Sequence, residues 1–177
     1  KSEFGKANAY VNPYMDVQTN DWYFGAVQYV TENGLMNGTG NGFEPNLATS
    51  RAMIWTVLAR MDGKTVSGSG SEWYAASQSW ASENGVSDGS DPNGRITREQ
   101  FAAMLYRYAL RQGRAGADAA ANFAGFADVE SVSDWARDAM RWAVSSGIIN
   151  GIDGRLCPQG EATRAQIATM LQRYLEK

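Results

Sequence analysis

Residues 162–174, Ala162-Thr163-Arg164-Ala165-Gln166-Ile167-Ala168-Thr169-Met170-Leu171-Gln172-Arg173-Tyr174, decide how the chain is read. The pattern stands twice more upstream, as Ile96-Thr97-Arg98-Glu99-Gln100-Phe101-Ala102-Ala103-Met104-Leu105-Tyr106-Arg107-Tyr108 and as Thr49-Ser50-Arg51-Ala52-Met53-Ile54-Trp55-Thr56-Val57-Leu58-Ala59-Arg60-Met61. In each copy a hydroxyl residue precedes an Arg, and a second Arg follows nine positions after the first. The apolar sets Ile54, Val57, Leu58, Met61; Phe101, Met104, Leu105, Tyr108; and Ile167, Met170, Leu171, Tyr174 repeat at i, i+3, i+4 and i+7, the mark of one buried helix face. Ser50, Thr97 and Thr163 occupy the N-cap place. Gln100 and Gln166 complete capping boxes, whereas Met53 leaves the first copy with a cap and no box. Three copies of one capped helix predict a repeat protein.

Upstream of each copy lies a second repeated element. Asp21 to Gly34 reads as a helix, with Asp21 as cap, a stripe of Trp22, Ala26, Val27 and Val30, and Gly34 as the residue that ends it in the left-handed region. Asn37 to Gly42 is a run of turn formers, and Pro45 pushes Glu44 out of helical space into a short extended piece. Trp22, Trp73 and Trp135 are offset by 51 and then 62 positions, and so are Gly34, Gly85, Gly147 and Gly38, Gly89, Gly151. From the second Gly to the Arg the loop spans 13, 9 and 13 positions, so the middle unit is shorter by four. The expected organisation is a leader or linker at 1–13, units at 14–63, 71–111 and 124–176, a Ser/Gly linker at 64–70 and an Ala/Gly-rich one at 112–123. Each unit alone buries too little apolar surface to fold, so the expectation is one all-α domain of three helix–loop–helix units around a pseudo-threefold axis.

Bulk composition narrows the function. A 44% hydrophobic and 20% charged chain of 177 residues is that of a globular protein. A net charge of −3 provides no global field toward nucleic acid or anionic lipid. No apolar run approaches the ~20 residues of a membrane span, and no signal peptide is visible. Arg outnumbers Lys 12 to 4, which favours placed guanidinium contacts. The absence of His removes the commonest general base and metal ligand. Cys157, the one cysteine, precedes Pro158 without a His partner and excludes an intrachain disulfide. The best calcium loop, Asp88 to Gly94, fails the EF-hand spacing at both anchor positions. The expectation is a chain that is not an enzyme and carries no metal and no cofactor.

Arg51, Arg98 and Arg164 are the leading candidates for binding. A helix N-terminus exposes unpaired N–H groups and partial positive charge. A cation there is electrostatically misplaced unless an anion sits opposite, and two partners stand open: an anionic ligand held by charge-assisted bonds, or an internal carboxylate such as Asp16 or Asp128. Glu99 and Gln166 are polar neighbours in the same first turns. Arg60, Arg107 and Arg173 sit at the helix ends, where charge suits the dipole, and read as structural. Trp22, Trp73 and Trp135 read first as core and second as platforms for a sugar ring. Gly38, Gly89 and Gly151 serve tight turns, or let a ligand approach backbone N–H groups.

A lead-in such as Tyr14-Met15-Asp16 or Phe126-Ala127-Asp128, then Trp, a Gly-x-x-x-Gly segment, a Pro loop and a helix start such as Thr163-Arg164-Ala165-Gln166 resembles the surface-layer homology (SLH) domain. The resemblance covers roughly 12–176, with departures: unit two lacks the lead-in, and unit one carries Met53 where the family has Glu. It implies an extracellular module at a bacterial cell wall, anchoring non-covalently to a pyruvylated secondary cell-wall polysaccharide in grooves between units. The ketal carboxylate would be the anion for Arg51, Arg98 or Arg164. The alternative is an interaction domain whose Arg-headed helices bind acidic surfaces of neighbouring surface proteins during lattice assembly. Unit three keeps every motif element, so motif completeness ranks Arg164 first, Arg98 second and Arg51 last.

Overall fold

The structure, a computed structural model, describes residues 9–66, 72–115 and 123–176. The expected leader and both linkers lie largely outside these residues. Among the described residues the domain has six α-helices: α1 (Phe24–Glu32), α2 (Arg51–Met61), α3 (Ala75–Glu83), α4 (Arg98–Arg111), α5 (Arg137–Ser145) and α6 (Arg164–Leu175), with short 3₁₀ turns before α5. The described residues form isolated antiparallel bridges and no strands.

The late helices α2, α4 and α6 start as their sequences predict. Ser50, Thr97 and Thr163 each accept the backbone N–H three residues on at 3.2 Å, a bond worth about 1 kcal/mol at a helix start. Gln100 and Gln166 return the bond to the cap N–H, so boxes form on α4 and α6 and not on α2. The three apolar stripes lie in one continuous core, with Met61 alone only partly buried. The early helices begin later than predicted. α1 is headed by Tyr23 without a side-chain cap, because the Asp21 carboxylate accepts the Gln18 N–H instead. Gly34, Gly85 and Gly147 do follow the early helices with φ of 65–71°.

The helices do not pair within their own units. α3 packs on α2, α5 on α4, and α1 on α6, so each early helix covers the late helix of the preceding unit and the last pair joins the two ends of the chain. A ring of backbone bonds lies along the axis. The Ile96 N–H donates to Thr49 O at 2.8 Å, Ala162 N–H to Ile96 O at 2.9 Å, and Thr49 N–H to Ala162 O at 3.0 Å. Three residues at equivalent positions each give one bond and take one, which is the pseudo-threefold written in hydrogen bonds.

The Pro loops clasp the helix starts from the neighbouring unit. Arg51 and Ala52 N–H donate to Gly94 and Pro92 O, Arg98 and Glu99 N–H to Gly160 and Pro158 O, and Arg164 and Ala165 N–H to Leu47 and Pro45 O, all at 2.9–3.0 Å. The residues before those prolines, Glu44, Asp91 and Cys157, have φ of 55°, 49° and 51°. Pro45 thus excludes the right-handed helical region for Glu44 as expected, but the chain turns left-handed there rather than extended.

Candidate ligand-binding grooves

The interlocking carbonyls overturn one premise of the sequence reading. The first-turn N–H groups that would attract an anion are taken by the Pro loops. What remains for a ligand is the arginine side chains, and these differ. Each spends Nε on a carbonyl of the next unit's loop: Arg51 on Ser90 at 2.8 Å, Arg98 on Leu156 at 2.9 Å, Arg164 on Phe43 at 2.7 Å. Arg164 then gives Nη2 to Asn37 O and lies over the Phe43 ring, 4.8 Å from its centroid. Arg51 gives Nη2 to Ser87 Oγ at 3.1 Å and to Asp88 Oδ1 at 3.2 Å. Arg98 gives its two Nη groups to nothing among the described residues, although the residue is only 5% exposed. Burial lowers its pKa, and the nearby positive charge of Arg173 adds to that.

A cavity of about 500 Å³ opens on Arg98. Its walls are the unit-three loop from Ile148 to Asp153, and Gln166, Thr169, Met170 and Arg173 of α6. Trp22 of unit one closes the far side. A second cavity of about 250 Å³ repeats the plan one unit back, with Arg51 of unit one, Ser87, Asp88, Gln100, Met104 and Arg107 of unit two, and Trp135 of unit three. A groove therefore draws on all three units: the first-turn Arg of one, the loop and late helix of the next, and the Trp of the third. Two guanidiniums line each cavity. Like charges converging on one partly desolvated space are relieved by an anion between them.

The structure separates the other candidates. Trp22 is 68% and Trp135 57% exposed, which corrects their reading as core and makes them aromatic walls; Trp73 is half-buried. Buried Tyr23, next to Trp22, fills the core place. Asp16 and Asp128 do not pair with the arginines. The Asp16 carboxylate accepts the N–H groups of Phe43 and Glu44, and Asp128 those of Leu156 and Cys157, at 2.7–2.9 Å. For Asp128, burial pushes the pKa up, but the two amide bonds outweigh it and the net direction is down. These residues fold the loops that hold Arg164 and Arg98.

Glu99 is 3% exposed and turned away from both cavities, accepting from Ser133 N–H at 3.0 Å, Ser133 Oγ at 2.7 Å and Gln159 Nε2 at 3.2 Å. Gln166 lines the first groove while closing its capping box. Gly89 and Gly151 have φ of 77° and 83°. Gly38 is instead required by close approach, since a Cβ there would stand 2.8 Å from Gly42 O and 2.9 Å from the Tyr14 ring.

Sequence reasoning missed Arg107 and Arg173 as groove residues. Their Nη1 atoms do bond the Val86 and Ile148 carbonyls, each at 3.1 Å, as a structural role requires. Their signal was the fixed nine-residue spacing, which turns the second guanidinium to the opposite side of the helix, as on α4, where Arg98 lines one groove and Arg107 the other. The loop from Asp88 carries an acidic residue that faces Arg51 rather than an ion-binding cluster; no such cluster occurs among the described residues.

Comparison with known proteins follows this geometry. The profile described as S-layer homology domain matches residues 13–52 and 125–168, the better part of units one and three. The middle unit, which lacks the lead-in and four loop residues, falls between them. The chain is 30% identical to an amylopullulanase of Thermoanaerobacterium thermosulfurigenes over 95% of its length. It is 26% identical to exoglucanase XynX of Acetivibrio thermocellus over 93%, and 27% identical to the S-layer protein sap of Bacillus anthracis over 89%. The match covers 10%, 16% and 20% of those three proteins.

Proposed function

The chain belongs to the S-layer homology family, the cell-surface anchoring module of S-layer proteins and surface enzymes, and from that premise we propose that it anchors non-covalently to an anionic, pyruvylated secondary cell-wall polysaccharide through the groove headed by Arg98. The module itself is non-catalytic.

One observation carries the reading: Arg98 is buried, its two Nη groups have no partner among the described residues, and it lines a cavity of about 500 Å³ together with Arg173 and Trp22. A carboxylate accepts two parallel N–H bonds from one guanidinium. The exposed Trp22 indole and Ile152 side chain supply the apolar contact that a sugar ring needs once its carboxylate is held. Net charge plays no part, since the chain is acidic overall; the attraction is local.

The test is calorimetric titration of the domain with purified polymer fragments before and after mild-acid removal of the pyruvyl ketal. Binding that disappears with the ketal supports the reading. Equal binding to the stripped polymer, or displacement of the polymer by acidic protein and not by free pyruvylated sugar, would favour recognition of acidic protein surfaces instead.

A further inference from the structure

The two cavities share a plan but not a charge. In the first, the position preceding the second loop glycine is Asn150, a neutral side chain, and Arg98 keeps both Nη groups unspent. In the second, the equivalent position is Asp88, and its Oδ1 lies 3.2 Å from Nη2 of Arg51. That oxygen is held in place: it also accepts the Ser90 N–H at 2.9 Å and the Ser90 hydroxyl at 2.7 Å. Ser87, where unit three has Ile149, adds a further acceptor to the same Nη2 at 3.1 Å. The first cavity has an acid as well, Asp153 on its rim, but that carboxylate pairs with neither guanidinium among the described residues.

We propose that Asp88 is an internal stand-in for the ligand's carboxylate, which keeps the Arg51 groove closed to anionic ligands and leaves the domain with one binding groove. This rests on the reading that the Arg98 groove takes a carboxylate-bearing sugar. A ligand entering the second groove must displace Asp88 from Arg51 and then stand beside it, like charge against like. Asp88 is a specificity-determining residue of the fold's second groove. Of the differences between the two grooves, Asp88 against Asn150 is the charged one, and it sets the stoichiometry.

The two exposed tryptophans report separately, Trp22 on the first groove and Trp135 on the second. A synthetic monosaccharide bearing a pyruvate ketal is titrated into the whole chain while the indole N–H resonances are followed by NMR. In the wild-type chain the Trp22 signal should move and Trp135 stay still until concentrations roughly tenfold higher, the scale of one weakened charge-assisted contact. In Asp88→Asn, which keeps the oxygen that Ser90 needs, Trp135 should respond within about threefold of Trp22, and calorimetry should count two sites, because ten-fold corresponds to that one contact. The reciprocal Asn150→Asp should weaken the Trp22 response by about tenfold on the same basis. If Trp22 moves but Trp135 stays silent in Asp88→Asn, the inference fails and the Arg98 reading stands. Equal responses of both signals in the wild type, or an unchanged Trp22 response in Asn150→Asp, also overturn it. If neither signal moves in the wild type, the groove reading falls and the inference with it.

Discussion

The backbone N–H of Arg164 donates to the carbonyl of Leu47 at 2.9 Å, so the start of the last helix is held by a loop of the first unit. With α1 packed on α6, this contact closes the domain end to end. Removing residues beyond 160 would strip α1 of its partner helix and leave the Pro45 loop with no helix to clasp. A chain truncated there should lose cooperative unfolding altogether rather than retain two stable units. In the intact chain, Leu58→Ala and Leu171→Ala, both at fully buried positions, should each lower stability by ~2–5 kcal/mol in a single transition. Urea denaturation followed by circular dichroism checks both, and two separated transitions would contradict a shared core.

Motif completeness ranks Arg164 first for ligand binding, whereas the geometry puts Arg98 first. Arg164 is 2% exposed and already spends Nε and Nη2 on carbonyls, whereas Arg98 has both Nη groups to give. Arg98→Ala should therefore weaken polymer binding most, by ~1.5–3 kcal/mol, roughly tenfold to more than a hundredfold. Arg51→Ala and Arg164→Ala should change affinity little. Both buried arginines also satisfy carbonyls, so Arg98→Ala and Arg164→Ala should each cost ~1–3 kcal/mol of stability. Calorimetric affinities must be compared with melting curves of the same variants, and Arg98→Lys, which keeps the charge but loses the fork, should bind at an intermediate level.

Gly151→Ala should be destabilising by more than the ~1–2 kcal/mol of a left-handed residue. Its φ is 83°, and a Cβ would stand 2.6 Å from the Phe126 ring and 3.0 Å from the Arg155 carbonyl. Gly85→Ala has similar backbone strain with nothing to strike, since its φ is 69° and no atom lies within 4 Å of a Cβ there. The difference in denaturation midpoints between the two variants isolates the steric part.

Alkaline pH should loosen the core through Tyr108. Burial, and then the negative charge of Asp62, push its phenol up to about 12, from the ordinary 10.0. The neutral form is the one the fold favours, so this stabilisation is complete below pH 10 and is lost as pH rises from there toward 12. The slope should approach 1.4 kcal/mol per pH unit for one proton, about the value of a single pKa unit. Denaturation midpoints measured across that window, in wild type and Tyr108→Phe, check it: the phenylalanine variant should show a shallower decline.

Helix starts, capping boxes and buried stripes were legible because they depend on residues a few positions apart. Thr97 and Gln100, or Met170 and Leu171, act over one or two turns, and spacing alone specifies them. Partner choice was not legible. Periodicity tells that α1 buries a face, but not that the face meets α6 instead of α2. The same gap hid the fate of the helix N-termini, since an unpaired N–H is met equally well by a ligand oxygen or by the carbonyls of Leu47 and Pro45. Glu99 looked like a ligand residue for its charge, yet Ser133 and Gln159 arrive from a distant part of the chain to bury it. Trp22 looked like core because an apolar stripe does not mark where the protein ends and the groove begins.

The three-unit make-up of each groove ties recognition to completion. Arg98, Arg173 and Trp22 come from the second, third and first units, and they meet only when the ring shuts. A chain that has lost any unit, or whose first and third units have not yet met, has no complete groove. The groove and the shape of the domain therefore arise in the same event.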